Sequence, residues 1–321
     1  MRRAQNAFTL LELLLVVFIL AALAATTSSM VESAHEQARY DVTAQRLDEI
    51  RDAVAGARGG AAGFASDCGR LPRSIGELLE RPADVHAWRP DPAASGLAYG
   101  WRGPYLRATG PGEFFDGWGS RGENFGWQFF VSPNATPVGA PVALPPGPAL
   151  WVGSLGLDGL IGGTDGDWSR DFPHTWIVDE GVAYPVTEGG TAPAPLVGLD
   201  DYTVDLEGWT VVVDLVNGEA GAEVTLNLAL RLHVVVDGAP QVAVSDPLPV
   251  TLSPGATAPV TFSFPAAPFR VTWGVRPAEV VEAGTGPARD WPRAGTGTPE
   301  PIDLRPRQAR PARLRVPWRV R

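Results

Sequence analysis

Ala7-Phe8-Thr9-Leu10-Leu11-Glu12-Leu13-Leu14-Leu15-Val16 opens an apolar run that continues to Ala25 and is interrupted only by Thr9 and Glu12. With Thr26 and Thr27 it reaches about 20 residues, the length that crosses a bilayer as a helix. Arg2 and Arg3 precede it, so the positive-inside rule places residues 1–7 in the cytoplasm and the bulk of the chain across the membrane. A secretory signal peptide has a shorter apolar core, although Ala21, Ala22, Ala24 and Ala25 could imitate its cleavage site. A plain membrane anchor explains the length but not Glu12. A carboxylate there is expensive unless a partner neutralises it.

The quoted stretch resembles the prepilin cleavage and methylation motif of type IV pilins and type II secretion pseudopilins. The resemblance implies cleavage by a prepilin peptidase between Ala7 and Phe8, N-methylation of Phe8, and a role for Glu12 as the fifth mature residue. The cationic amine of Phe8 on an incoming subunit is then the natural partner of Glu12 on its neighbour, and the pairing sets register during assembly. The family usually has Gly before the cut, where this chain has Ala7.

Beyond the membrane run, Val31, Ala34, Ala38, Val42, Leu47, Ile50, Val54 and Ala57 recur mostly every three or four residues among charged neighbours. That spacing predicts an amphipathic helix stripe. No proline occurs between residues 8 and 58, so one helix of about 75 Å is expected over that span. Gly56, Gly59, Gly60 and Gly63 mark its end.

Further along come Gly103-Pro104-Tyr105-Leu106, then Phe115-Asp116-Gly117-Trp118-Gly119, then the strand-like Phe125-Gly126-Trp127-Gln128-Phe129-Phe130. Trp151-Val152-Gly153-Ser154-Leu155-Gly156-Leu157-Asp158-Gly159, Gly162-Gly163 and Asp165-Gly166-Asp167-Trp168 follow. Acids spaced by glycine suit Ca²⁺, which takes carboxylate and carbonyl oxygens, and the loop has no His or Cys to favour Zn²⁺. An acidic solvated turn is the alternative. The order of these features over residues 8–172 resembles the major pseudopilin of type II secretion. That resemblance implies a calcium site with Asp158 and Asp165 as side-chain ligands and the carbonyls of Leu155, Leu160 and Gly163. Asp167 and Asp171 are further candidate ligands under the same resemblance. Gly117 stands where the family has Pro, and the stretches 80–101 and 131–150 are insertions relative to it.

After a linker at 187–195 the pattern changes to period two. Trp209, Val211, Val213 and Leu215 alternate; Val224 to Val236 form one long one-sided strand closed by Asp237-Gly238; Val260, Phe262 and Phe264, then Phe269, Val271, Trp273 and Val275, continue the alternation. Such spacing predicts an antiparallel sandwich, with a suggestive likeness to immunoglobulin-like surface modules.

The predicted fold is α+β: a leader at 1–7, a long helix at 8–58 with 8–27 spanning the membrane, a small antiparallel head at 59–190, an all-β sandwich at 196–302, and an Arg-rich tail or final strand at 303–321. Residues 305–321 hold seven arginines and no acid; the rest of the chain carries 19 basic against 36 acidic residues, which disfavours nucleic acid. The lone Cys68 excludes an intrachain disulfide. No catalytic set is present, since His35, His86, His174 and His233 are scattered and no nucleophile elbow or phosphate loop occurs. The expectation is a non-enzymatic, single-pass inner-membrane subunit of a type II secretion pseudopilus, periplasmic in bulk. Its partners would be other pseudopilin subunits, the prepilin peptidase and an inner-membrane assembly platform. A minor pilin or tip adhesin of a type IV pilus, and a membrane-anchored periplasmic binding module, are the alternatives.

Overall fold

The computed structural model describes residues 10–57, 62–108, 113–119, 123–132, 148–162, 169–187, 190–217, 221, 223–265, 270–283, 290–291, 300–304, 312–313 and 318–320. Helix α1, Leu10–Ala55, is continuous over 46 residues. Leu-rich sequence without proline or mid-helix glycine permits that length. Gly56, at φ 92°, stops it in a backbone conformation that a side chain disfavours. Thr26 and Thr27 do not break the helix, because both hydroxyls donate back to the Leu23 carbonyl, at 2.9 and 2.8 Å.

The distal quarter of α1 is the spine of the head. Leu47, Ile50, Ala53 and Val54 are buried with Phe64 and Cys68 of α2 (Phe64–Cys68) and Leu78 and Leu79 of α3 (Gly76–Leu79). A hairpin follows, β1 (Arg89–Asp91) with β2 (Leu97–Tyr99), inside one of the predicted insertions. Strands β3 (Trp127–Val131) and β4 (Leu150–Ser154) pair antiparallel and bring Trp127, Phe129, Leu150 and Val152 against the spine. Strands β5 (Thr175–Asp179) and β6 (Val182–Val186) form a second hairpin.

The chain does not change domain sharply after the linker. Val197, Leu199 and Tyr202, the last two in α4 (Leu199–Tyr202), still pack into the head core. Strand β7 (Thr203–Asp205) then leads to β8 (Thr210–Asn217), β9 (Val224–Val236), β10 (Ala239–Val244), β11 (Leu248–Leu252), β12 (Thr257–Ser263), β13 (Arg270–Thr272) and β14 (Gly274–Glu282). Short strands β15 (Asp290–Trp291), β16 (Glu300–Leu304), β17 (Ala312–Arg313) and β18 (Trp318–Val320) complete the order. One sheet centres on β9 and β14 and carries β10, β11, β15 and β16; the other sets β12 on one side of β8 and β17 and β18, parallel to it, on the other. The inner faces share one core, in which Val211, Val213 and Leu215 of β8 meet Leu228, Leu230, Leu232 and Val234 of β9.

The two halves are joined by buried polar contacts. Trp273, in the break between β13 and β14, sends its indole Nε1 to the Ala55 carbonyl at the end of α1, at 2.9 Å. Ser66 Oγ donates to the Trp273 carbonyl. Arg276, only 3 % exposed, donates to the carbonyls of Ser66, Thr272 and Trp273 and to the Thr272 hydroxyl. Burial depresses its guanidinium to about 10, and the nearby Asp67 carboxylate opposes that shift. On the outer face of β9, Val235 packs against Ala94 and Leu97, so the β1–β2 insertion is a bracket between head and β-domain.

Candidate functional site

Two features concentrate the candidate functional residues: the uncovered length of α1 and the acidic loop after β4. From Leu10 to Leu23 every leucine, valine, isoleucine and phenylalanine of α1 is exposed. Covering one Leu-sized side chain is worth about 1.5–3 kcal/mol, so this surface requires lipid or protein around it. Among the described residues α1 is the one helix long and apolar enough to cross a membrane, and none of its most apolar window is buried. A core helix of a soluble protein would be covered. Glu12 lies in the first turn of α1 and is the only charged residue in the apolar span. Ala7 and Phe8, the predicted processing residues, lie outside the described residues.

The acidic loop is fixed to α1 through a turn at 116–119. Asp116 is buried; its Oδ1 accepts from the backbone N–H groups of Trp118 (3.1 Å) and Gly119 (2.9 Å), and its Oδ2 accepts from Ser154 Oγ at 2.7 Å. Arg46 of α1 donates to the carbonyls of Phe115 and Asp116, both at 2.7 Å. Gly117 N–H donates to Thr43 Oγ1 at 2.9 Å, and a Cβ at this position would run into the Arg39 carbonyl. Glycine is thus required here; proline would lose the donor and meet the helix backbone.

Within the loop, Asp158 Oδ1 accepts from Leu160 N–H at 3.0 Å and the side chain is exposed. Leu155 is half-buried beside Trp151 and Trp176, and its N–H donates to the Gly126 carbonyl at 3.1 Å. Leu160 is exposed. Gly163, Asp165 and Asp167 lie outside the described residues, and among the described ones no cluster of three or more His, Cys, Asp or Glu is placed to hold a metal.

Asp171 is the residue whose importance spacing alone did not resolve. Its Oδ2 accepts from Gly162 N–H (2.7 Å) and Trp176 N–H (3.0 Å), tying the loop to β5, while its buried Oδ1 has no hydrogen-bond partner. Burial pushes its carboxyl up to about 6, and the charge of Asp158 adds to the rise. An orphaned carboxylate oxygen beside a second acid fits a hard cation. His174, next along, is depressed to about 4 by burial, with Nε2 unpartnered.

In a comparison with protein families, residues 2–28 match the prokaryotic N-terminal methylation motif. The chain carries a prepilin-type N-terminus. The motif implies processing by a prepilin peptidase and assembly into pilin-like polymers, and with the uncovered α1 it supports a membrane-anchored, type IV pilin-like protein. No curated protein and no solved structure matches the chain.

Proposed function

We propose that the protein is a structural subunit of a pseudopilus of the type II secretion kind. The observation that carries the reading is the division of α1, uncovered and apolar for its first half and locked into a folded head for its last quarter. Cleavage between Ala7 and Phe8 would leave a cationic amine at Phe8 for Glu12 of a neighbour. The apolar helices then pass from lipid into a filament core without meeting water. The work is mechanical: the growing filament pushes secreted proteins toward an outer-membrane channel. Calcium would be held by Asp158, Asp165, Asp167 and Asp171 with the carbonyls of Leu155, Leu160 and Gly163, and would supply charge neutralisation that locks the loop.

A second reading, a minor or tip subunit of a type IV pilus, draws support from the seat of the β-domain on the distal end of α1, through Trp273 and Ala55. A domain there stands in the path of a subunit stacked above. The test is co-expression with a prepilin peptidase and an assembly platform, followed by high-speed pelleting. Processing-dependent polymer that is lost in Glu12→Ala supports the proposal; polymer that ignores both overturns it.

A further inference from the structure

Ser154, the last residue of β4, is fully buried, and its Oγ donates to Asp116 Oδ2 at 2.7 Å. A hydroxyl has one proton to donate and lone pairs with which to accept. The proton goes to Asp116, so the lone pairs are left for the Gly156 N–H, at 3.2 Å. The Leu155–Gly156 peptide is trans. In a planar trans unit the C=O points opposite to the N–H. Holding the Gly156 N–H on Ser154 therefore turns the Leu155 carbonyl away from Ser154. Gly156, at φ 68°, has the backbone freedom for that turn. Among the described residues no hydrogen-bond donor meets the Leu155 carbonyl.

Ser154 is also one side of the neck of the acidic loop. It exchanges two backbone hydrogen bonds with Phe172, at 2.8 and 2.9 Å, so the loop begins and ends at one point. One residue inside the neck on either side stand Leu155, with its free carbonyl, and Asp171, with its buried and unpartnered Oδ1. Two such oxygens at one neck suit a hard cation. Both sides of the neck rest on α1. Phe172 packs edge-to-face on Tyr40, with ring centroids 4.5 Å apart, and Asp116, the partner of Ser154, is held by Arg46.

We propose that Asp116 and Ser154 are positioning residues of the cation site: through the Gly156 N–H they hold the Leu155 carbonyl toward the cation, across the neck from Asp171. The inference rests on the calcium reading above and adds the residues that build the site on α1. Neither side chain is itself a ligand. Asp116 spends Oδ1 on the N–H groups of Trp118 and Gly119 and Oδ2 on Ser154. Both act through Leu155, as partners behind the ligands commonly do.

The test uses the detergent-solubilised full-length chain and terbium, a luminescent hard cation with the oxygen preference of calcium. Trp151 and Trp176 pack with Leu155 and serve as sensitisers. Luminescence decay in H2O against D2O counts the waters on terbium, and displacement by calcium gives the affinity. Ser154→Ala removes the acceptor of Gly156. Its calcium affinity should fall by about 10–100-fold, and terbium should carry about one more water in place of the carbonyl. Ser154→Cys, whose sulfur is a weak acceptor, gives the same reading if the alanine variant does not fold. Asp116→Asn keeps an oxygen for Trp118 and Gly119 and leaves Ser154 able to accept from Gly156, so its loss should be smaller and its water count unchanged. Tyr105→Phe, which removes a bond to Asp67 outside the loop, should lower the melting temperature in chelator and move neither reading. A wild-type water count in the Ser154 variants overturns the positioning role and leaves the calcium reading standing. A larger loss in Asp116→Asn than in Ser154→Ala also overturns it, in favour of charge alone. A wild-type chain that neither sensitises terbium nor binds calcium overturns the calcium reading and this inference with it.

Discussion

The indole of Trp273 donates to the carbonyl of Ala55, joining a strand break in the β-domain to the last residue of the membrane helix at 2.9 Å. A helix end leaves carbonyls without partners, and here a residue 218 positions away supplies one. The β-domain is therefore fastened to the element that would carry force in a filament. Trp273→Phe keeps an aromatic ring but loses the N–H and part of the buried volume, and should destabilise the chain by at least about 1 kcal/mol. Trp273→Ala should cost about 3–5 kcal/mol through the cavity it leaves. Denaturant unfolding of the detergent-solubilised chain checks both, and limited proteolysis should release the β-domain from the alanine variant first.

Gly117 sits against the Arg39 carbonyl with no room for a side chain. Gly117→Ala should destabilise the head by about 1–3 kcal/mol, the range for forced overpacking. Gly117→Pro should be worse, since it also deletes the donor to Thr43. Thermal unfolding of the two variants beside Thr43→Val, which removes the acceptor of Gly117 together with the hydroxyl's own bond to the Arg39 carbonyl but adds no clash, separates the clash from the lost bonds.

The joint also has a pH signature. Asp67 is pushed up to about 6, chiefly by burial, against the lowering effects of Arg102 (3.0 Å), the Tyr105 hydroxyl (3.0 Å) and the nearby Arg276. A carboxyl with a raised folded-state value binds its proton more tightly folded than unfolded. Its contribution to stability therefore grows as pH falls from above 6 toward the unfolded value near 3.8. His174, depressed to about 4, acts in the opposite direction below its ordinary value of 6.5, so the whole-protein curve mixes signs. The difference between wild type and Asp67→Asn isolates the joint. Wild type should gain on the variant between pH 7.5 and 4.5, by at most about 3 kcal/mol.

Calcium should raise the melting temperature of the wild-type chain and a chelator should lower it. Asp171→Asn should abolish that response while retaining the fold, because an amide oxygen still accepts from Gly162 and Trp176. Calorimetric scans at pH 7.5 with calcium and with chelator read this directly. An unchanged calcium response in Asp171→Asn would remove that residue from the site.

The helix was legible because composition alone dictates it: a proline-free apolar run followed by a three- to four-residue stripe leaves few alternatives. Strands β8, β9 and β12 were legible for the same reason, since their alternation is nearly unbroken. Strands β10 and β11 were not, because Pro240 and Pro249 interrupt the pattern; among the described residues both pair with β9 on one side only, and an outer strand tolerates a missing donor. The run from Phe269 to Val275 read as one strand, yet Trp273 breaks it by turning into the head core. Asp171 carried the same acidic signal as its neighbours, and only burial and an orphaned oxygen distinguish it. Long-range contacts such as Arg276 with Ser66 leave no local trace in a sequence.

The central claim is tested most directly by intact mass and N-terminal sequencing of the chain extracted from membranes, with and without a prepilin peptidase. The account predicts a peptidase-dependent start at Phe8 bearing one added methyl group. A start at Met1, or one near Ala25 that ignores the peptidase, would contradict it and leave an anchored or secreted β-rich protein in place of a filament subunit.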